Sequence, residues 1–374
     1  MSTIGLTTKY YTDPARSSWT DRARTGAAAR TGRSVPGGAG PREAAEPPEH
    51  APARPMTTHL WYPAAPGSAT TEIMIGPKDA PYFHAGTFAP DAEPAHAARP
   101  RPLAVLSHAS GGSALQLAWL AAALVDAGFL VAGVNHHGNT AIESYSPEGF
   151  LYWWHRPLDL SRVVDRLLAD PVFGSGVDAD GICTAGFSYG GFTGLLLGGG
   201  TPTTRTLAQF CESERRDAAC ETPPEFADRE DFAIVREGMR RAGDMAAVDP
   251  PYSGMDLEDP RFRAAVALSP PLGGAFLPED FRRIAMPVWL IVPERDPMAP
   301  KENNAGYMAA HIAGAELTVL PGVAGHHVFM SEATEAGRRA RPFVCQDPPG
   351  VDRRAIHKEI APQAARFLLR ALGK

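Results

Sequence analysis

Cysteine is scarce, four residues in a chain of 374, and none of them forms CxxC or a Cys/His cluster at zinc spacing. That excludes a disulfide framework and offers no structural zinc site. Long apolar runs are missing too: no stretch of about 18 residues is continuously apolar, so no segment reads as a membrane span. The opening MSTIGLTTKYYTDPARSSWT has neither the basic start nor the apolar centre of a secretory leader. Charge of one sign is never concentrated, because 36 Lys+Arg and 42 Asp+Glu are mixed along the chain for a net charge of -6. A basic stripe for nucleic acid and an acidic tail are thereby excluded. The expectation is a soluble cytoplasmic protein acting on small or neutral partners, its oligomeric state left open. Cys183 falls in a predicted buried strand and reads as a small core hydrophobe. Cys211 and Cys220 share one polar insertion and would pair if the compartment were oxidising, which the sequence leaves open.

Residues 23–55 lack core-forming side chains: one valine, and no Leu, Ile, Met, Phe, Tyr or Trp. Such a segment cannot offset its own ordering entropy. It reads as a disordered insertion between two strands, at 3–11 and at TTHLWY (57–62), within a single domain spanning 1–374.

From residue 103 short apolar runs alternate with amphipathic segments of helical length. The runs LAVLSH (103–108), FLVAGVN (129–135), GICTAGF (181–187), AAVALS (264–269), PVWLIVP (287–293) and AELTVL (315–320) predict strands. Helices are predicted at 113–127, 157–169, 189–198, 301–313 and 353–371. Alternating βα units with almost continuously apolar strands imply an α/β fold, a mostly parallel central sheet flanked by helices. One connection breaks the rhythm: 201–260 is polar, with helix-like pieces at 204–215 and 225–243. Leaving the carboxyl edge of the sheet, it is placed to act as a lid.

The stretch GFSYGG (186–191) sits where a predicted strand ends and a predicted helix begins. A serine flanked by glycines there is the context of a nucleophile elbow, a turn that exposes the hydroxyl of Ser188. Serine is a weak nucleophile at neutral pH and needs a general base, itself held by a third group. PVWLIVPERDPMAP supplies Asp296 just after a strand, and AELTVLPGVAGHHVF supplies His326 after the next. Ser, Asp and His therefore follow in the order expected of α/β-hydrolases, each at a strand's carboxyl end. The rivals are Glu294, read as a solvated ion pair with Arg295, and His327. Gly325 before His326 and the apolar VFM after His327 favour His326. An oxyanion would need two donors: the N–H of Tyr189, and an N–H in LSHASGGS, Ser110 first and Ala109 second. His108, His136 and His137 gather near the same edge without Asp, Glu or Cys at ligand spacing, so loop-organising or substrate-lining roles are expected and no metal. Trp153, Trp154, Phe187 and Phe276, with Tyr189, are candidates for an apolar substrate pocket.

These residues carry a resemblance to the α/β-hydrolases, and more narrowly to the bacterial "predicted dienelactone hydrolase" group related to platelet-activating-factor acetylhydrolases. It rests on LAVLSHASGGS, FLVAGVNHHGNT, RPLDLSRVVDRLLADP, GICTAGFSYGG, VWLIVPERDPMAP, ELTVLPGVAGHHVF and DPPGVDRRAIH, from about residue 100 to the C-terminus, with 57–63 similar to the group's early strand. The resemblance implies Ser188 as nucleophile, His326 as base and Asp296 as acid, with serine esterase chemistry and no cofactor. This chain departs from the pattern in having HASGG in place of HG and GFS in place of GHS. Relatives often carry a cysteine near FMSEAT that could pair with one like Cys345; here Ser331 or Ala333 stands there, which implies that Cys345 is a free thiol. The expected activity is cleavage of a small or medium ester or lactone through an acyl-enzyme. The alternatives are an acyltransferase or cyclase using the same triad to tailor a natural product, and a non-catalytic binding protein on the same fold.

Overall fold

The computed structural model describes residues 3–17, 53–223, 226, 230–233, 235, 237 and 253–374. The insertion expected at 23–55 lies outside these residues up to position 52, as does most of the helix-like piece at 225–243.

The chain opens with a long hairpin, β1 (Ile4–Ser17) against β2 (Ala53–Pro63). The second strand starts earlier than the sequence suggested, so residues 53–55 are corrected from insertion to strand. Arg54 explains the extension: its side chain is buried and its guanidinium donates to Asp159 at 2.7 and 2.9 Å. Two strands absent from the sequence reading follow, β3 (Thr71–Ile75) and β4 (Phe83–Pro90), paired antiparallel.

Next come β5 (Arg101–Ser107), α1 (Ala118–Asp126), β6 (Leu130–Val134), α2 (Pro147–Leu151), α3 (His155–Leu168), β7 (Val177–Phe187) and α4 (Tyr189–Leu197). After them stand α5 (Thr204–Glu212), β8 (Phe262–Leu268), β9 (Val288–Pro293), α6 (Ala305–His311), β10 (Glu316–Leu320), β11 (Glu332–Ala333), α7 (Glu335–Ala340), α8 (Pro342–Cys345) and α9 (Arg353–Ala371). The strands form one sheet in the order β10-β9-β8-β7-β5-β6-β2-β1-β4-β11, with β3 on β4. From β6 through β10 every neighbouring pair is parallel.

Alternate residues of the central strands enter opposite cores, as a pleat with period two requires. Ala104 and Leu106 of β5, with Trp289 and Ile291 of β9, pack beside Leu120 and Leu124 of α1 and Phe367 of α9. Leu103 and Val105 face Leu160 and Val163 of α3, and Leu290 and Val292 meet Phe192 of α4 and Met308 of α6. Apolar surface on both faces is why these strands read as unbroken apolar runs. Within 113–127, a 3₁₀ turn (Ala114–Leu117) precedes α1, and the helix expected at 301–313 shortens to α6.

Candidate active site

Ser188 occupies the single position between β7 and α4, with φ 54° and ψ -122°. A side chain held in that region stores strain, and neighbouring backbone enforces it. The Ser188 N–H donates to Leu268 O at 2.7 Å, binding the turn to the end of β8. A Cβ on Gly190 would overlap the Ser107 carbonyl at the end of β5, and one on Gly186 would overlap Gly190 itself. The two glycines therefore permit the close approach that lifts the serine out of the sheet.

Asp296 lies just past β9, where its Oδ1 accepts the N–H groups of Met298 and Ala299, both at 2.9 Å. Its Oδ2 is 2.7 Å from His326 Nδ1, and His326 Nε2 is 2.9 Å from Ser188 Oγ. All three side chains are buried. Burial pushes the Asp296 carboxyl up, but the His326 charge and hydrogen bond and the Ala299 N–H outweigh it and bring it down to about 2. The imidazole is thus flanked by a carboxylate and a hydroxyl, an arrangement able to take the serine proton and to stabilise the resulting imidazolium. The ring of Phe187 lies 4.9 Å from that of His326 and walls its inner side.

The rivals stand elsewhere. His327 faces its ring edge-on to His326 and to Phe343. Glu294 accepts the Gly322 N–H at 3.1 Å, and no ion pair joins it to Arg295 among the described residues, correcting the expected pairing. Exposure explains the difference: a solvated pair gains little, whereas the Gly322 N–H lies within reach of the carboxylate.

The loop of Ala109 and Ser110 and the N-terminus of α4 border the same space. Tyr189 is the first residue of α4, so its N–H is one of those a helix leaves without an internal acceptor. Behind the loop stands a buried polar network. His108 donates from Nδ1 to Ala109 O at 2.7 Å and accepts the His136 N–H at Nε2, 3.1 Å away. His136 bridges Ser107 Oγ at 2.9 Å and Asp159 Oδ2 at 3.0 Å. Burial, with Arg156 beside them, keeps both imidazoles well below their ordinary pKa, His136 at about 3. Burial alone would raise Asp159, but Arg54 and Arg16 hold it well below the carboxylate range. His108 and His136 therefore organise the loop, while His137 pairs with Glu143 at 2.7 Å.

Ser188 and His326 open into a cavity of about 980 Å³. Trp153, Phe187 and Tyr189 line it; Trp154 and Phe276 do not, correcting two of the proposed pocket residues. Trp154 is buried in stacking on Tyr152, and Phe276 in stacking on Phe281 within the core that holds Phe192 and Leu290. Tyr145, Phe150 and Phe226 take their place, in an aromatic cluster where Phe226 stacks on Phe232 and Tyr145 and Phe150 meet them edge-to-face. The β3–β4 hairpin contributes Ile75 and Tyr82 from the other side. No periodic signal marks these residues, since they come from loops, the one-turn helix α2 and an edge hairpin whose shared wall is a tertiary fact. Residues 218–223 line the cavity also, and Cys220 among them is bonded to Cys211. The pairing that the sequence left open is thus a disulfide, while Cys183 and Cys345 are free and buried.

A mostly parallel sheet in this order, with a strained serine between β7 and α4, defines an α/β-hydrolase fold. The chain is similar to the solved structure of a ferulic acid esterase from Streptomyces cinnamoneus, with a TM-score of 0.60 and 19% identity, covering 98% of this chain and 89% of that one. No protein-family model matches the chain, and no curated protein sequence does. No helix among the described residues is long and apolar enough to cross a membrane.

Proposed function

We propose that the protein is a serine carboxylic-ester hydrolase acting through an acyl-enzyme, and that within the α/β-hydrolases it sits with the serine enzymes of the dienelactone-hydrolase-like group named above. The observation that carries this reading is the unbroken hydrogen-bond chain Asp296–His326–Ser188 ending in the cavity. His326 Nε2 takes the Ser188 proton as Oγ attacks the ester carbonyl, and the oxyanion forms against the N–H groups of Tyr189 and Ser110, with Ala109 as the second choice. Collapse expels the alcohol, which leaves with the proton from His326. Water enters, gives its proton to the same nitrogen and attacks the acyl-enzyme; the second collapse releases the acid and restores Ser188. Asp296 holds the imidazole's orientation and balances its positive charge throughout.

The aromatic wall of Trp153, Tyr145 and Phe150 suits an acyl or alcohol group with an aromatic or branched apolar body. The esterase with a similar fold is named for ferulic acid, which supports including a hydroxycinnamate ester among the substrates tried. Residues 201–260 are proposed as a lid over this space.

The test is a panel of p-nitrophenyl esters of increasing chain length, a lactone and an alkyl hydroxycinnamate, run beside fluorophosphonate labelling. Ser188→Ala is expected to lose about 10⁴-fold or more in kcat together with all covalent labelling. Turnover retained in that variant would remove Ser188 from the role of nucleophile.

A further inference from the structure

Arg156, in the first turn of α3, is fully buried, yet among the described residues no carboxylate lies within ion-pair distance of it. Burying a guanidinium in this way is costly, and apolar packing would usually be the more stable choice. Its contacts indicate what it does there. Nη1 donates to His108 O at 2.7 Å, and Nη2 reaches Asn139 Oδ1 at 3.3 Å and Ala109 O at 3.5 Å. Asn139 Oδ1 in turn accepts the Gly111 N–H at 2.6 Å. On its other side the guanidinium lies over the Tyr189 ring, 4.4 Å from the centroid. Burial lowers its pKa to about 10, which leaves it charged at neutral pH.

In a trans peptide unit the C=O and the next N–H point in opposite directions. A donor fixed on His108 O therefore turns the Ala109 N–H the other way, and one fixed on Ala109 O does the same for Ser110. Ala109 O is also held by His108 Nδ1 and by the Gly112 N–H at 3.1 Å, but His108 O has Arg156 alone among the described residues.

We propose that Arg156 is a positioning residue for the oxyanion pocket, setting both halves of it with one rigid group: the His108–Ser110 peptide units through hydrogen bonds to their carbonyls, and the start of α4 through the ring of Tyr189. Its planar fork bonds several acceptors while its face stacks, a combination that lysine cannot reproduce. The inference rests on the reading of Ser188 as nucleophile and of these N–H groups as oxyanion donors. Arg156 does not touch the substrate; it acts through the backbone that does.

The experiment compares wild type with Arg156→Gln, Arg156→Lys and Asn139→Ala, using p-nitrophenyl acetate as substrate and an alkyl trifluoromethyl ketone as inhibitor. The ketone forms a hemiketal oxyanion on the serine and so reports on the pocket directly. Arg156→Gln is expected to lower kcat about 10- to 100-fold, as small misplacements of reacting groups do, while KM moves by less than about threefold. The ketone's Ki should rise by the same factor as kcat/KM falls, with Arg156→Lys recovering part of the loss. Asn139→Ala should show a smaller parallel loss, and any of the three that folds carries the test. A folded Arg156→Gln with kcat within about threefold of wild type, or any folded variant of the three whose change is confined to KM or the melting temperature, overturns the proposal. If wild type does not bind the ketone, or Ser188→Ala keeps its turnover, the underlying hydrolase reading fails first. Tight wild-type inhibition with indifferent Arg156 variants removes only the positioning role.

Discussion

At the scale of single residues, the site depends on one serine held at φ 54° by a backbone too close for side chains at Gly186 and Gly190. Asp296 is the residue whose chemistry is easiest to change without moving anything. Its Oδ1 accepts two backbone N–H groups and its Oδ2 faces the histidine, so asparagine can keep the first contacts and lose the second. The amide would then present an N–H donor to His326 Nδ1, favouring the tautomer with its proton on Nε2, where Ser188 needs an acceptor. Asp296→Asn is expected to cost about 10⁴-fold in kcat with the fold retained, measured by steady-state turnover beside far-UV circular dichroism. Activity within about tenfold of wild type would point to another acid.

At the scale of elements, the segment after α4 is tied down by more than its own helix. The Cys211–Cys220 bond closes a loop at a sequence separation of 9. That loop hangs from the stretch beyond Asp296: Asn303 donates to Arg215 O at 2.8 Å, and Asn304 to Asp217 Oδ2 at 3.0 Å. Closing a loop of this size is worth about 2–3 kcal/mol, acting on residues that line the cavity. Such a bond persists in oxidising surroundings and is reduced in a cytoplasm, so its state reports on the compartment. Alkylation in denaturant without reductant separates the two: with the bond closed, Cys183 and Cys345 alone among the four cysteines take the label, and all four do so after reduction. Full labelling before reduction would mean that the pair is open in the source compartment.

At the scale of the whole molecule, stability should depend on pH through histidines spread over the structure. Burial lowers His59 to about 4 and His136, His155 and His357 to about 3, all from an ordinary 6.5. Below pH 6.5 the unfolded chain takes up protons that the native state refuses, so the stability present above that pH is lost progressively down towards pH 3–4. Each such group can contribute a slope of up to about 1.4 kcal/mol per pH unit. Asp296, held at about 2, adds a further loss as pH falls below its ordinary 3.8. Urea midpoints from pH 8 to pH 4 are expected to fall steeply below about pH 6.5, and His357→Gln, which removes one titrating group, should flatten that fall. An unchanged slope in the variant would place the titration elsewhere.

Much of this was legible along the chain because it is local. The strands from β5 to β9 announce themselves as apolar runs, since both faces of a parallel sheet are covered, whereas β10 is a half-exposed edge strand. GFSYGG marks the turn because only glycine allows the backbones to touch, and the order of Ser188, Asp296 and His326 follows from strands that each end at the same edge. Other features exist only across distance. The serine and histidine are 138 residues apart in sequence yet 2.9 Å apart in space, a contact that forms only when β10 lies beside β9. Trp153 and Trp154 are neighbours in the chain, but one faces the cavity and the other the core, a difference set by the packing of α3. The pairing of Cys211 with Cys220, the wall supplied by the β3–β4 hairpin and the burial of Arg156 behind the loop at Ala109 and Ser110 were decided by the tertiary structure alone. Each depends on which surfaces the folded chain presses together, and local residue preference carries no record of that.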